Sequence, residues 1–220
     1  SNNGIDWVLR TTPIGVELLN ICWSPLRGRF VAIGRTETEA VVLTSSNGID
    51  WASSVSPLLW VSGICWSPDL GIFVAVADSG AGNQLITSAD GLSWTVRTIP
   101  AANGWASVVW SPEIGIFVAV AYSPASAQVM TSPDGINWTL RTTPAGGWQS
   151  VCWAPERGLF AAVSYSDVGN AVMTSSNGID WVERTTPEGN AWGGVCWAPA
   201  ITRFVAVSYY GDGARVLTSL

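Results

Sequence analysis

An all-β fold of five similar four-stranded units is what the sequence predicts, and three observations predict it. A short turn-like phrase, SNNGIDW at residues 1–7, returns as SSNGIDW at 45–51, SADGLSW at 88–94, SPDGINW at 132–138 and SSNGIDW at 175–181, at spacings of 43 or 44 residues. The rest of the unit repeats in step. A Trp followed by Ser-Pro or Ala-Pro stands at Trp23, Trp66, Trp110, Trp153 and Trp197, and a Phe-led run follows at Phe30, Phe73, Phe117, Phe160 and Phe204. Between these landmarks the chain reads as short Val-, Trp- and Phe-rich runs bounded by Pro, Gly, Asn and Asp. No stretch keeps a 3.6-residue apolar period, so the pattern is that of strands. Four antiparallel strands repeated every roughly 40 to 50 residues define a β-propeller, each unit forming one blade around a common axis.

Each element follows from its local chemistry. In the fourth unit the expected strands are 148–153, 159–164, 171–175 and 179–185. The first ends in Cys152-Trp153, after which Ala154-Pro155-Glu156-Arg157-Gly158 turns the chain, Pro fixing φ and Gly allowing a positive one. The Phe-led second strand runs into a variable loop, and the third ends at the repeated phrase. There Asn-Gly or Asp-Gly tolerates the left-handed conformations that match strand twist, favouring a hairpin into the fourth strand. The expected organisation is one propeller domain over 1–220, with blades at approximately 16–57, 58–100, 101–144, 145–187 and 188–220, the last completed by 1–13. Residues 5–11 are then expected to pair with the last strand, so that the N- and C-terminal strands close the ring and remove an open sheet edge.

The phrase resembles the Asp-box of bacterial neuraminidase repeats, usually written S-x-D-x-G-x-T-W and set on the turn between a blade's third and fourth strands. The match covers all five units, with departures: Gly directly follows Asp in SADGLSW and SPDGINW, one residue fewer precedes Trp, and Asn3, Asn47 and Asn177 stand in place of Asp. The resemblance implies the propeller fold and makes the phrase a structural element on the face opposite an active site.

Composition narrows the function. With 48% hydrophobic residues the 220-residue chain has ample material for a packed core. Gly, Pro and Ser interrupt every apolar stretch well before the roughly 18 residues a spanning helix requires, so no membrane insertion is expected. The chain opens without a basic, apolar leader, which a mature exported chain would have lost, and an extracellular or surface location fits this reading. The net charge is −6, with 10 basic residues, all Arg, and no His. Nucleic acid, which demands a basic stripe, is not expected as a partner. Lack of His removes the commonest general base, nucleophile activator and metal ligand together, so neither a metal nor a cofactor is expected and no catalytic residue is assigned.

The 14 Trp residues sort by repeat. Ten recur in every unit, at the end of the phrase and before the Pro turn, and serve what every blade must do, which is pack against its neighbour. Trp60, Trp105, Trp148 and Trp192 stand at the start of the innermost strand, near the channel mouth, and are candidates both for core packing and for an exposed aromatic platform. Trp60 sits one residue earlier than the others relative to the Trp that follows, a shift that turns a strand side chain to the opposite face. The loops between second and third strands vary most between units and hold all four Tyr residues. Tyr122, Tyr165 and Tyr209 with Asp78, Asp167 and Asp212 therefore join the four Trp as candidate ligand-binding residues. Aromatic planes beside short carboxylates and amides suit sugars, whose C–H faces stack on rings while their hydroxyls need paired donors and acceptors. The expected function is a non-catalytic, multivalent carbohydrate-binding propeller with about one site per blade or blade interface. A structural or protein-interaction propeller is the alternative and a glycosidase-like enzyme a third reading, since Glu17 is the only acid placed on an inner strand.

Cys22, Cys65, Cys152 and Cys196 share one register in four units, on the order of 10 Å apart between neighbouring blades and beyond the roughly 7 Å reach of a disulfide. They are expected to be buried free thiols. Arg10, Arg97, Arg141 and Arg184 recur on the outermost strand, where an Arg braces its own blade or a neighbour.

Overall fold

The computed structural model describes residues 4–78, 84–123, 128–165, 171–187, 190–210 and 215–219. Five antiparallel sheets follow one another along the chain. The first holds β1 (Glu17–Ser24), β2 (Arg29–Arg35), β3 (Ala40–Ser45) and β4 (Ala52–Val55); the second β5 (Val61–Ser67), β6 (Ile72–Ala77), β7 (Leu85–Ser88) and β8 (Thr95–Arg97). The third holds β9 (Trp105–Ser111), β10 (Ile116–Ala121), β11 (Val129–Ser132) and β12 (Thr139–Arg141); the fourth β13 (Trp148–Ala154), β14 (Leu159–Ser164), β15 (Val172–Ser175) and β16 (Val182–Arg184). The fifth has three strands, β17 (Trp192–Ala198), β18 (Arg203–Ser208) and β19 (Val216–Thr218). The chain is a β-propeller of five blades, with β1, β5, β9, β13 and β17 innermost.

Seams between consecutive blades hold the core. Val118, Val120 and Val129 of the third blade meet Trp148, Phe160, Met173 and Trp181 of the fourth, and the two seams before it repeat the arrangement. Within each blade the Phe that heads the second strand packs on the Trp ending the first, at 4.4–4.8 Å between ring centroids. In four blades the Trp of the repeated turn covers its other side at 6.1–6.3 Å. Tilted pairs at such distances add about 0.5–1.5 kcal/mol each beyond the area they bury. The first-strand Trp also ties blades together. Trp110 Nε1 donates to Asp69 of the preceding blade at 2.8 Å, Trp153 to Glu113 at 2.6 Å and Trp197 to Glu156 at 2.7 Å. These acids in the Pro turns escape a reading that looks for acids only on inner strands.

The repeated phrase forms a longer turn than the expected hairpin. In the fourth blade 176–181 separate β15 from β16, because Asn177 Oδ1 accepts the N–H groups of Ile179 and Asp180, both at 2.9 Å, and holds them out of the ladder. Ser175 Oγ accepts from Gly178 N–H at 2.9 Å, and Gly178 takes φ +72° where an added Cβ would strike Ile116 and Val118 of the preceding blade at 2.8 Å. Asp90 and Asp134 do the work of Asn177 in the second and third blades. Asp90 is pulled down to about 2, chiefly by the Ser93 N–H with Leu92 N–H and the Ser88 hydroxyl adding to it. Burial works to raise Asp134, but the Asn137 N–H and side-chain amide, Ile136 N–H and Ser132 hydroxyl overcome it and bring it to about 2. Both lie below the ordinary 3.8. Their contribution is therefore fully present above the unfolded value and is lost as pH falls from about 4 to about 2. The Asp90→Asn, Asp134→Asn double variant should melt within about 1 kcal/mol of the parent at pH 7, since Asn47 and Asn177 make the same bonds. It should lose less stability than the parent between pH 5 and 2 in thermal melts; an unchanged acid slope would contradict this origin.

Outer-strand arginines brace their own blades, Arg97, Arg141 and Arg184 donating from Nε to Thr87, Thr131 and Thr174 at 2.8–2.9 Å. All four cysteines are free. Burial pushes Cys22 and Cys152 up to about 12 and Cys65 well above its ordinary value. Cys196, expected to be buried, is exposed instead, because it faces outward from the fifth blade and no further blade covers that face among the described residues. In dilute native protein one thiol should accordingly label quickly and three only on unfolding, as counted by mass spectrometry; four protected thiols would contradict the open face. Among the described residues the closing pair of N- and C-terminal strands is not one of the ladders formed. β19 carries no fourth strand, Leu9 is 96% exposed, and β17 makes no approach to β1 like the one that joins each inner strand to the next.

Candidate functional site

Five residues stand at one register position, five places after the Phe that heads the second strand: Arg35, Asp78, Tyr122, Tyr165 and Tyr209. Each lies where β2, β6, β10, β14 or β18 reaches the axial end of its sheet. In four blades its N–H is held by the residue before the innermost strand. Asp78 donates to Trp60 O at 3.0 Å, Tyr122 to Gly104 O at 3.0 Å, Tyr165 to Gly147 O at 2.7 Å and Tyr209 to Ala191 O at 3.0 Å. These bonds fix the side chains around one mouth of the propeller.

There Asp78, Tyr122, Gly147, Gln149, Tyr165, Tyr209 and Tyr210 line a cleft of about 680 Å3, open to solvent. Tyr165 and Tyr209 meet at 6.0 Å with planes tilted by 59°. Tyr122 lies on the backbone of Gly104, where a Cβ would strike its ring at 2.7 Å, and the Tyr209 ring covers Gly193 in the same way. Glycine is needed at 104 for that approach. The Tyr122 phenol is raised above its ordinary value, by burial first and by the Asp78 charge second. Gln149 enters the cleft because a bulge between Trp148 and Ser150 takes it out of the β13–β14 ladder, and a bulge re-aims the side chain it displaces. Nothing in the repeat marks Gln149 beforehand; its counterparts are Ser62, Ala106 and Gly193.

The four mouth tryptophans divide. Trp105 and Trp148 are fully buried and Trp192 is 2% exposed, so all three belong to the seams and cannot form an aromatic platform. Each pairs within its own sheet, Trp148 opposite Ser164 and Trp192 opposite Ser208, with its ring turned into the blade interface. Trp60 occupies the register of Gly104 and Gly147, one residue before the strand, takes a left-handed φ of 60° and is 45% exposed. Arg35 lies 4.6 Å over its ring and donates from Nε to Glu17 Oε2 at 2.8 Å. The structure thus brings together Asp78, Tyr122, Tyr165 and Tyr209, adds Gln149 and Tyr210, and sets Trp60 on the same rim with Arg35. Asp167 and Asp212 lie outside the described residues. Among the described residues no group of three or more His, Cys, Asp or Glu is placed to hold a metal ion.

No family model matches the sequence, and no curated protein matches it. Solved structures do. A catalytically inactive virginiamycin B lyase from Staphylococcus aureus with quinupristin superposes at a TM-score of 0.74 and 11% identity, over 94% of this chain and 71% of that one. The nidogen/laminin complex gives 0.69 at 10% identity, covering 87% and 72% of the two chains. The β-propeller domain of Myceliophteria thermophila Cps50 (Swd1) gives 0.62 at 13% identity over 87% of this chain and 65% of that one. The class these likenesses define is the β-propeller, with functions as different as a lyase and a laminin complex among its members.

Proposed function

We propose that this propeller is a non-catalytic binding module that takes a carbohydrate at a single tyrosine-lined mouth. The observation that carries the reading is the convergence of Tyr122, Tyr165 and Tyr209, at one register position, with Asp78 and Gln149 around one open cleft. Phenol rings offer faces for sugar C–H groups, while a carboxylate, an amide and phenol hydroxyls supply the mixed acceptors and donors that hydroxyls need. Glycoside hydrolysis uses two carboxyl groups flanking the bond, and the described lining contains one, Asp78. The resemblance of the repeated turn to an Asp-box adds support for a scaffold role at that turn and none for catalysis. One shared site also replaces the expectation of about one site per blade or blade interface, since three of the four mouth tryptophans, Trp105, Trp148 and Trp192, are buried. Sugars displace well-ordered water for similar hydrogen bonds, so affinity should be weak, about −4 to −8 kcal/mol or millimolar to micromolar. A glycan-array screen followed by titration tests this: a saccharide should bind and protect the mouth tyrosines from nitration. A second reading, a protein-docking face, rests on the exposed Trp60 capped by Arg35 on the same rim, residue types that anchor protein interfaces. An array without a hit, alongside a protein captured in a Trp60-dependent way, would favour it.

A further inference from the structure

On the rim of the mouth the chain holds one cation between an aromatic face and a carboxylate. The Arg35 guanidinium lies 4.6 Å over the Trp60 ring while its Nε donates to Glu17 Oε2 at 2.8 Å. A cation within about 6 Å of a ring face is attracted by the quadrupole of the ring, and more strongly where water is partly excluded. The following register positions around the same mouth repeat two of these three parts: Asp78 brings a carboxylate, and Tyr122, Tyr165 and Tyr209 bring the faces. No side chain in the described lining of the cleft is cationic.

The geometry suits a compact charged group. Asp78 is half-buried and its N–H is anchored on Trp60 O at 3.0 Å. Its charge acts at the Tyr122 ring, whose phenol is raised by burial first and by that carboxylate second. Tyr165 and Tyr209 stand 6.0 Å apart with planes tilted by 59°, so together they make a corner and not two parallel shelves. A flat sugar face covers one ring, whereas a corner surrounds a small group that projects from the sugar. All four tyrosines at the mouth are exposed and can meet a ligand. Glu37 and Glu39 are exposed in the β2–β3 connection at this same mouth, and the whole chain carries −6, a field that draws cations and repels acidic sugars.

We infer that the mouth takes a saccharide bearing a free ammonium group, a deacetylated amino sugar, with the ammonium set beside Asp78 and against the tyrosine faces. This rests on the carbohydrate reading above and narrows it to one class. Gln149 and the phenol hydroxyls serve the sugar hydroxyls. A neutral sugar offers the corner only hydroxyls, an N-acetylated one exchanges the charge for an amide, and a uronic acid brings a like charge towards Asp78.

The test compares β-1,4-linked tetrasaccharides of glucosamine, N-acetylglucosamine and glucose, which differ only at C2, by isothermal titration of the full 220-residue chain at about pH 5.5, where the sugar amine is charged. The glucosamine oligomer should bind at least fivefold tighter than either of the others, and Asp78→Asn should reduce that preference below twofold. Raising the salt from about 0.02 to 0.5 M reads the same charge without a substitution and should shrink the preference at least twofold. Equal or tighter binding of the acetylated or the glucose oligomer, or a preference that salt does not move, overturns the inference and leaves the carbohydrate reading standing. Absence of binding by all three overturns it as well. The glycan array then decides the carbohydrate reading separately, a hit with another sugar keeping it and an array without a hit removing it.

Discussion

Trp148→Ala is expected to cost about 3–5 kcal/mol of stability, the range for removing a buried aromatic side chain, and to leave ligand affinity of the folded protein unchanged. The ring is fully buried, packs with Met173 and Trp181 across the seam from Val118 and Val120, and its Nε1 donates to Pro144 O at 3.2 Å. Truncation leaves a cavity in the middle of the seam and removes the packing of Gly146 against the indole, where a Cβ would meet the ring at 2.9 Å. For a chain of this size the loss lowers the melting temperature by roughly 6–20 °C. Trp60→Ala is the contrast: a half-exposed ring on the rim should change stability by about 0.5 kcal/mol or less. If Trp148→Ala melted like the parent and lost ligand, the division between buried and rim tryptophans would be wrong.

Tyr165→Ala is the second large effect, and it falls on affinity. Tyr165 sits between Tyr122 and Tyr209 in blade order, leans on Tyr209 at 6.0 Å and is 46% exposed, so its removal opens the middle of the cleft without cutting into a seam. Saccharide affinity should fall at least tenfold, about 1.4 kcal/mol or more, while the melting temperature moves by a degree or two. Asp78→Asn, which keeps the shape and removes the charge, should fall less than Tyr165→Ala if stacking dominates. Titration with the array-selected sugar, run beside thermal melts, separates the two effects.

Strand positions are legible in the repeat because each unit must spend the same residues on the same seam. Phe30, Phe73, Phe117, Phe160 and Phe204 head β2, β6, β10, β14 and β18 within a residue. The fourth strand is less so: Asn177 reads as half of a hairpin pair, but its side chain caps two further N–H groups and delays β16 to Val182. At the mouth, spacing alone shows that Trp60 differs from Trp105, Trp148 and Trp192, and the one-residue shift does turn it outward. What spacing does not show is which of the two faces is covered, because that depends on the neighbouring blade. Gln149 is invisible for a related reason, as its orientation comes from a bulge that leaves no mark in composition. Cys196 is exposed although its register mates are not, since burial there is a property of the adjacent sheet.

The proposed saccharide site is one per chain, built from the tyrosines of three blades. Isothermal titration of the native chain with the saccharide that a glycan array selects, repeated on Tyr122→Ala, Tyr165→Ala and Tyr209→Ala, tests it most directly. One site per chain, weakened by each of the three substitutions, is the result expected from a shared mouth. Several equivalent sites per chain, each substitution removing one and leaving the rest at full affinity, would contradict it.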